Sequence, residues 1–469
     1  MPSPACDRCH SIKARCLAGP ADSCYRCYRL KHTCTYSRRR EKRGRKPKLT
    51  TPDESVHVSG GRLDSPSPSP SSPDQFIEDS DQQPKEEEED AESTQKPNLA
   101  KILFQQGIIS QALECSVFQV CAFLSFGPRL SSEMSQMVLT RREEAPTLLL
   151  DPYEAVARVL YRCMTNQTPC SNAEWSKGAS ALQSLRNARI TKADYVGGFL
   201  ALGASLVTFH RLISGVSAST ICRHTLSLIR PLYYADQVRE FDMKELLCLI
   251  YLDTTQSLFR AWVPVIEYSV RDPYLVNHHA GLCGPLLPLL YRVCILGAAV
   301  RTGHGDKVTP RDFECLTKEL TAWSPNVSKD TLERFSDQEM LLLLTQANLH
   351  RTAALLLLHR LQYPFGERDA EAEYLSRLIV TEMIHCLDGA SQFPPNITLA
   401  LLLAGAEVHD QEGRERILSL ITSIKGAYFY PFVSNLRMFL ARVWGARDQG
   451  TARYLFRLIE DDPELSVPL

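Results

Sequence analysis

The residues of this 469-residue chain with the clearest chemistry are six cysteines near its N-terminus. Their spacing is C-x2-C-x6-C-x7-C-x2-C-x6-C, and the second half repeats the first after 18 residues. The members are Cys6, Cys9, Cys16, Cys24, Cys27 and Cys34. Two thiolates separated by two residues can face one tetrahedral ion, so the pattern predicts zinc chelation.

A disulfide framework is the alternative chemistry for closely spaced cysteines. Three observations favour metal instead. No apolar signal segment lies in MPSPA before Cys6. The other ten cysteines are scattered singly, as reduced structural thiols usually are. The C-x2-C pairs also have the spacing of chelating ligands.

Six thiolates could form one four-cysteine site with two left over, or two tetrahedral sites that share a pair. The 18-residue repeat favours the second arrangement, because each half would then contribute three ligands. A module this short buries too little apolar surface to fold unaided. Metal binding would therefore supply its folding free energy.

The residues around the cysteines are strongly basic. Residues 1–50 contain 14 Lys and Arg against 3 acidic residues. Such density beside a metal module is typical of nucleic-acid binding. The short stretch between Cys9 and Cys16, HSIKAR, is predicted to form a helix.

The cysteine pattern resembles the binuclear zinc cluster of fungal transcription factors. That resemblance implies two Zn²⁺ ions held by the six cysteines, with Cys6 and Cys24 as bridging thiolates. It also implies that Lys13, three residues before Cys16, reads guanine edges in the major groove of double-stranded DNA at CGG-like sites. Arg15 is then expected to hold phosphate.

Further DNA contacts are predicted less directly. Arg8 and Lys31 are candidate phosphate contacts. The sequence departs from the family at His10 and Ile12, where a basic residue is common, so a second base-reading donor is missing. This departure leaves open nonspecific nucleic-acid binding by a helical scaffold or corepressor.

Residues 38–50 form a basic arm that follows the predicted cluster, which spans residues 1–37. Between residues 38 and 48 there are eight Lys and Arg and one Glu. Phosphate binding and a nuclear import signal both fit, and we expect Arg43 and Arg45 to contact DNA. The stretch KRGRKPK resembles an AT-hook for the minor groove, although Lys46 interrupts the Arg-Gly-Arg-Pro pattern.

Residues 51–98 reverse this charge, with 13 acidic residues against 3 basic ones among Ser and Pro. Such a segment cannot offset its ordering entropy, so a disordered linker is predicted. A solvated tether is favoured over an acidic activation region, since Phe76 and Ile77 stand almost alone. No apolar heptads follow Cys34, so any homodimer would form through the C-terminal region.

Residues 99–469 are nearly neutral and predict a large all-α domain. Apolar residues recur at helical spacing after Asp410 and along the segment from Leu375 to Leu387. The longest apolar stretch, Tyr195 to Phe209, is 15 residues long, shorter than the roughly 20 of a membrane span. A buried helix and no membrane association are therefore predicted.

Several segments of this region resemble the second class of fungal-specific transcription factor domain. They are HRTAALLLLHRLQYPFG, FPPNITLALLLAGAEVHDQEGRERILSLI and SNLRMFLARVW. The resemblance covers about residues 105–465 and implies a regulatory role, with coregulators or the transcriptional machinery as partners. A hydrophobic effector pocket among the helices is compatible with the sequence, which does not locate it.

Enzyme chemistry finds no support in this region, because G-x-S-x-G, H-E-x-x-H and phosphate-binding loops are all missing. The His278–His279 pair is interpreted as structural rather than metal-binding. The sequence therefore predicts no enzyme. It predicts a nuclear, zinc-dependent transcription factor that regulates RNA polymerase II transcription.

Overall fold

The computed structural model describes part of the chain. Its ranges are residues 6, 7, 9, 24, 27, 33 and 35, and then 117–164, 170–303, 308–424, 430–450, 453–461 and 467. The chain divides into two units, Met1–Ala91 and Glu92–Leu469. The predicted linker, residues 51–98, lies outside the described residues.

The larger unit is built from α-helices. After a helical stretch at residues 117–124, the first seven are α1 (Pro128–Glu144), α2 (Pro146–Met164), α3 (Asn172–Arg186), α4 (Val196–Ser214), α5 (Ser219–Tyr234), α6 (Glu240–Arg260) and α7 (Leu287–Arg301). Those that follow are α8 (Pro310–Ala322), α9 (Lys329–Arg334), α10 (Asp337–Gln362), α11 (Asp369–Ala390), α12 (Thr398–Ala406), α13 (Gln411–Ser423), α14 (Tyr430–Asp448) and α15 (Leu455–Asp461). Short 3₁₀ turns precede α4 and α7, at Ala193–Tyr195 and Gly284–Leu286.

In the helical unit, the β content of the described ranges is limited to one isolated antiparallel bridge, between Asn277 and Gly281. The prediction of a large helical domain is confirmed. Two helices form its centre, because α6 and α10 bury residues around most of their circumference. Helices α4, α5 and α7 pack on α6, and α8, α11 and α12 pack on α10. One continuous apolar core results.

The predicted helical faces occur where the sequence placed them. Helix α13 begins at Gln411, and the Asp410 carboxylate accepts the Gly413 N–H at 2.7 Å as its N-cap. Ile417 and Ile421 then face the core. On α11, Ile379 is likewise buried. Apolar periodicity therefore predicted both helices, and the polar start also predicted where α13 begins.

One carboxylate serves the starts of two helices. Glu339 completes a capping box at the start of α10, where its Oε2 accepts the Ser336 N–H at 3.1 Å. Its Oε1 accepts the backbone N–H of Arg129 at 3.0 Å, in the first turn of α1. Two helix N-termini distant in sequence thus share one anionic partner.

Two buried arginines connect helices across the core. Arg360 on α10 binds both carboxylate oxygens of Glu407 at 2.8 and 2.6 Å, and Arg447 on α14 approaches the same carboxylate at 3.1 Å. Arg141 on α1 is fully buried and donates to Glu245 on α6 at 2.7 Å and to Asp242. Both are charge-assisted pairs with little access to water.

The expectation that no segment is long enough to span a membrane was wrong. Three helical segments in the described ranges are long and apolar enough by length and composition: Ala193–Ser214, Gly284–Arg301 and Asp337–Gln362. Between 50% and 67% of each apolar window is buried inside the structure. The first contains the predicted 15-residue stretch and continues through residues 210–214, and its glycines do not break the helix. A Cβ on Gly203 would lie 2.4 Å from Thr225 Oγ1, so glycine there permits close packing with α5.

Candidate metal centre and ligand cavity

Four cysteines of the N-terminal unit converge on one point. Cys6, Cys9, Cys24 and Cys27 are all buried, and their sulfur atoms lie within 4.8 Å of one another. Three of the Sγ–Sγ distances are 3.7 Å for Cys6–Cys24, 3.8 Å for Cys6–Cys27 and 3.6 Å for Cys9–Cys24. Ligands held about 2.3 Å from a tetrahedral zinc are about 3.8 Å apart, so these thiols fit the ion.

The two halves of the sequence repeat have the same local geometry. The Cys9 N–H donates to Cys6 Sγ at 3.4 Å, and the Cys27 N–H donates to Cys24 Sγ at 3.4 Å. Donation from Cys27 lowers the pKa of the Cys24 thiol to about 6. Burial raises the pKa of Cys6. In each C-x2-C pair, the N–H of the second cysteine thus donates to the first sulfur, and both sulfurs belong to one cluster.

The other predicted site residues lie outside the part of the chain that the structure describes. Cys16 and Cys34, the remaining predicted ligands, lie outside the described residues. So do the predicted DNA contacts Arg8, Lys13, Arg15, Lys31, Arg43 and Arg45. The four described cysteines could hold a metal ion, and the geometry of the complete predicted set stays a prediction.

A second group of metal-ligating atoms lies in the helical unit. Cys248 on α6, His278 and His279 present ligand atoms within 4.8 Å of one another. Cys248 Sγ contacts His278 Nε2 at 3.2 Å and Asn277 Oδ1 at 3.3 Å. The histidine pair is visible in the sequence. Cys248 could not be linked to it, because Cys248 and His278 are 30 residues apart and share no motif.

The loop carrying the two histidines is held tightly to its neighbours. Asn277 exchanges backbone hydrogen bonds with Gly281 at 3.0 and 2.8 Å, and its side chain donates to the Lys244 carbonyl at 2.8 Å. Gln346 on α10 donates to the His279 carbonyl at 2.9 Å. Burial lowers the pKa of His278 to about 4, so this imidazole is neutral.

This loop forms one end of a partly open cavity of about 200 Å³. The other walls come from residues 117–124 and helices α1, α2, α4 and α6, together with the Phe393–Thr398 segment and residues near the start of α14. Apolar side chains dominate the lining. An apolar cavity with few polar groups is the usual form of a small-molecule site.

Two polar groups of this wall lack partners. The guanidinium of Arg211 on α4 makes no hydrogen bond or ion pair in the part of the chain that the structure describes. The Nδ1 atom of His279 is buried and also has no hydrogen-bond partner. Burial lowers the pKa of Arg211, and the nearby charge of Arg211 helps to lower the pKa of His279, which burial lowers most.

The fold and the sites therefore define a helical regulatory domain that follows a cysteine-rich module. A family model for the fungal specific transcription factor domain matches residues 179–460, more than half of the chain. The chain belongs to this family. No curated protein and no solved structure matched the chain.

Membership supports a role in transcription regulation and a nuclear protein, and it implies a non-enzyme. The expected resemblance of the C-terminal region is confirmed over the matched residues. The match does not include the cysteine-rich module.

Proposed function

We propose that this protein is a zinc-dependent, sequence-specific DNA-binding regulator of RNA polymerase II transcription in the nucleus. The observation that carries the proposal is the convergence of four buried cysteines at zinc-binding distances in a chain with a transcription factor domain. Zinc held there would fix the fold of a module too small to fold by apolar burial.

The contact pattern of the sulfurs supports a shared-ligand cluster. Cys6 Sγ lies 3.7 Å from Cys24 Sγ and 3.8 Å from Cys27 Sγ, and Cys24 Sγ lies 3.6 Å from Cys9 Sγ. In a cluster of two ions bridged by Cys6 and Cys24, each of these three pairs would share an ion. This agrees with the six-cysteine binuclear pattern, in which Cys16 and Cys34 complete the ligand set.

Base reading is assigned to Lys13 and phosphate contact to Arg15, with Arg8, Lys31, Arg43 and Arg45 adding positive charge along the backbone. We expect CGG-like sites, since a lysine donor matches the O6 and N7 acceptors of guanine. The helical unit then supplies the regulatory contacts: coregulators, the transcriptional machinery or a second copy of this chain.

Binding-site selection with the full-length zinc-loaded protein tests this function. Enriched triplets are expected, and Lys13→Ala should reduce discrimination against the wrong base by about 1–3 kcal/mol. Lys31→Ala is the matched control, because Lys31 occupies the equivalent position in the second half of the repeat. It should weaken binding about equally on all sequences.

The second candidate, a scaffold or corepressor with nonspecific binding, is favoured by the uncharged Ile12 and the absence of a fixed cation at His10. It requires that no triplet be enriched and that Lys13→Ala and Lys31→Ala behave alike. That result would refute sequence-specific reading while leaving zinc binding intact.

A further inference from the structure

The cavity between α4 and α6 has an unbalanced charge. Most of its polar wall groups already have partners within the protein. Ser205 and Thr208 donate back to helix carbonyls at 2.7 and 2.9 Å, and Cys248 contacts His278. Glu245, an anion of the wall, is bound by Arg141 at 2.7 Å. These groups therefore do not need a ligand as a hydrogen-bond partner.

Arg211 is different, because it lines the same apolar space and no carboxylate of the described residues pairs with its side chain. Leaving a cation unpaired in an apolar environment is costly, and such groups are normally paired. Gly215 caps the helix by donating to the Arg211 carbonyl at 3.0 Å, so the backbone at this position is fully used. Only the side chain of Arg211 is left without a hydrogen-bonding partner among the described residues.

His279 supplies a second, independent group. Its Nδ1 is buried without a partner, whereas its main-chain carbonyl is bound by both Gln346 and Asn396. The backbone of the loop is therefore fixed while one ring nitrogen is left unsatisfied. A buried polar atom without a partner in the protein can form a hydrogen bond with a ligand that enters the cavity.

We propose that the cavity binds a small carboxylic acid with an apolar body, whose carboxylate pairs with Arg211 and accepts a hydrogen bond from His279. A guanidinium recognises a carboxylate with two parallel N–H donors, and the low-polarity wall strengthens that pair. The apolar body of the acid would fill the space lined by α2 and α4.

The volume sets the size of this acid. A cavity of about 150 Å³ can hold benzene, and this one measures about 200 Å³. An acid with a single ring or a medium-length alkyl chain therefore fits. Binding itself is independent of the proposed function, and only its consequence for transcription rests on that function.

The test is a titration of the full-length zinc-loaded protein with two acids, 4-phenylbutyrate and octanoate. Their neutral counterparts, 4-phenylbutanol and 1-octanol, are titrated in parallel. Calorimetry and thermal melting report binding. At least one acid should bind at least about tenfold more tightly than its alcohol, because a charge-assisted hydrogen bond contributes about 1.5–3 kcal/mol.

Substitutions identify the carboxylate partner. Arg211→Met should remove the preference for acid over alcohol, a loss of about 10–100-fold in acid affinity. It should also leave the ligand-free protein as stable or more stable, since it removes an unpaired buried cation. Arg211→Lys should retain part of the preference as a point charge. The matched control is Arg186→Met on the exposed end of α3, which should change neither property.

Three results would overturn the proposal: no binding of either acid, equal affinity for acid and alcohol, or unchanged acid binding by Arg211→Met. A loss of stability in Arg211→Met with acid preference retained by that variant would show a structural arginine instead. DNA binding is measured on the same samples without ligand. A protein that binds acid and does not bind DNA would refute the proposed function alone.

Discussion

The two clusters of potential metal ligands in the described residues both contain cysteine sulfur, but their surroundings differ. In the N-terminal unit, the buried cluster of described residues consists of Cys6, Cys9, Cys24 and Cys27 themselves. Around Cys248, His278 and His279 lies an extensive apolar core that spans the helical unit. The four sulfur atoms form the centre of the N-terminal cluster. In the helical unit, the sulfur of Cys248 is one small group beside a large apolar core. The first should need metal to fold, and the second should not.

The largest expected effect is the loss of the N-terminal module when its metal is removed. Chelation, or Cys6→Ser, should release about two zinc ions and abolish DNA binding, because structural zinc contributes roughly 10–16 kcal/mol to such modules. Melting of the helical unit should not change. Zinc analysis, DNA mobility shifts and calorimetry measure the three quantities. Co-melting of both units on chelation would contradict the contrast.

The reverse experiment breaks a buried pair in the helical unit. Arg360→Met removes two of the hydrogen bonds to the Glu407 carboxylate, which is 2% exposed and keeps its contact with Arg447 at 3.1 Å. The free energy of unfolding should fall by about 3 kcal/mol, the lower end of the cost of breaking a buried pair. Zinc content and DNA binding at low temperature should be retained. Urea unfolding of the helical unit measures the change. Arg416→Met, at an exposed pair with Glu412, is the control and should cost no more than about 1 kcal/mol.

Acid should destabilise the helical unit through its buried histidines. His350 Nδ1 donates to the Gln346 carbonyl at 2.9 Å and Nε2 accepts from Tyr251 at 2.7 Å, and burial lowers the pKa of His350 to about 4. An unfolded histidine has a pKa of about 6.5, so the unfolded state binds more protons between these values. Stability should be complete above about pH 6.5 and fall towards pH 4, by up to about 3 kcal/mol for this residue.

The pH dependence is measured by urea unfolding across that window. His350→Gln should flatten the slope, because glutamine does not titrate and keeps a donor and an acceptor. His385→Gln, on the exposed face of α11, serves as the control. An unchanged slope in His350→Gln would mean that the pKa of this imidazole is not lowered in the folded protein.

The smallest effect is expected at Cys248. Cys248→Ser should leave the zinc content unchanged and lower the free energy of unfolding by roughly 1 kcal/mol, because a hydroxyl can replace the thiol contacts to Asn277 and His278. Elemental analysis of the full-length protein decides the point. Loss of about one zinc ion per chain would turn this cluster into a third metal site and remove the contrast between the two regions.

Sequence reasoning located features whose parts are adjacent in the chain. The start of α13 was predictable because the Asp410 cap and the apolar face that follows lie within a dozen residues. The convergence of Cys6 with Cys24 was predictable from the repeat. By contrast, Cys248 meets His278 because the loop at residues 277–281 folds back onto α6. Arg211 lines the same cavity as His279 because α4 packs on α6. No local pattern encodes those meetings, since tertiary packing determines them.

The length of α4 shows the same limit in a helix. Its glycines weakened the sequence prediction because glycine is unfavourable in helix interiors. In the fold, a Cβ on Gly197 would lie 2.3 Å from Arg141 Nη1. Glycine at position 197 leaves room for Arg141, a residue that is distant in sequence and so cannot be inferred from the local pattern.

The shared carboxylate of Glu339 couples the opening of two distant helix ends. When the first turn of α1 opens, the Glu339 carboxylate that caps α10 becomes exposed. When the start of α10 opens, the backbone N–H of Arg129 loses its acceptor. Amide protons at both ends should therefore exchange with solvent deuterium at matching rates, as parts of one cooperative unit. In Glu339→Gln, the weaker neutral acceptor should speed up the exchange of both sets of amides together. Two segments about 200 residues apart would then open at the same time, because one side chain holds both.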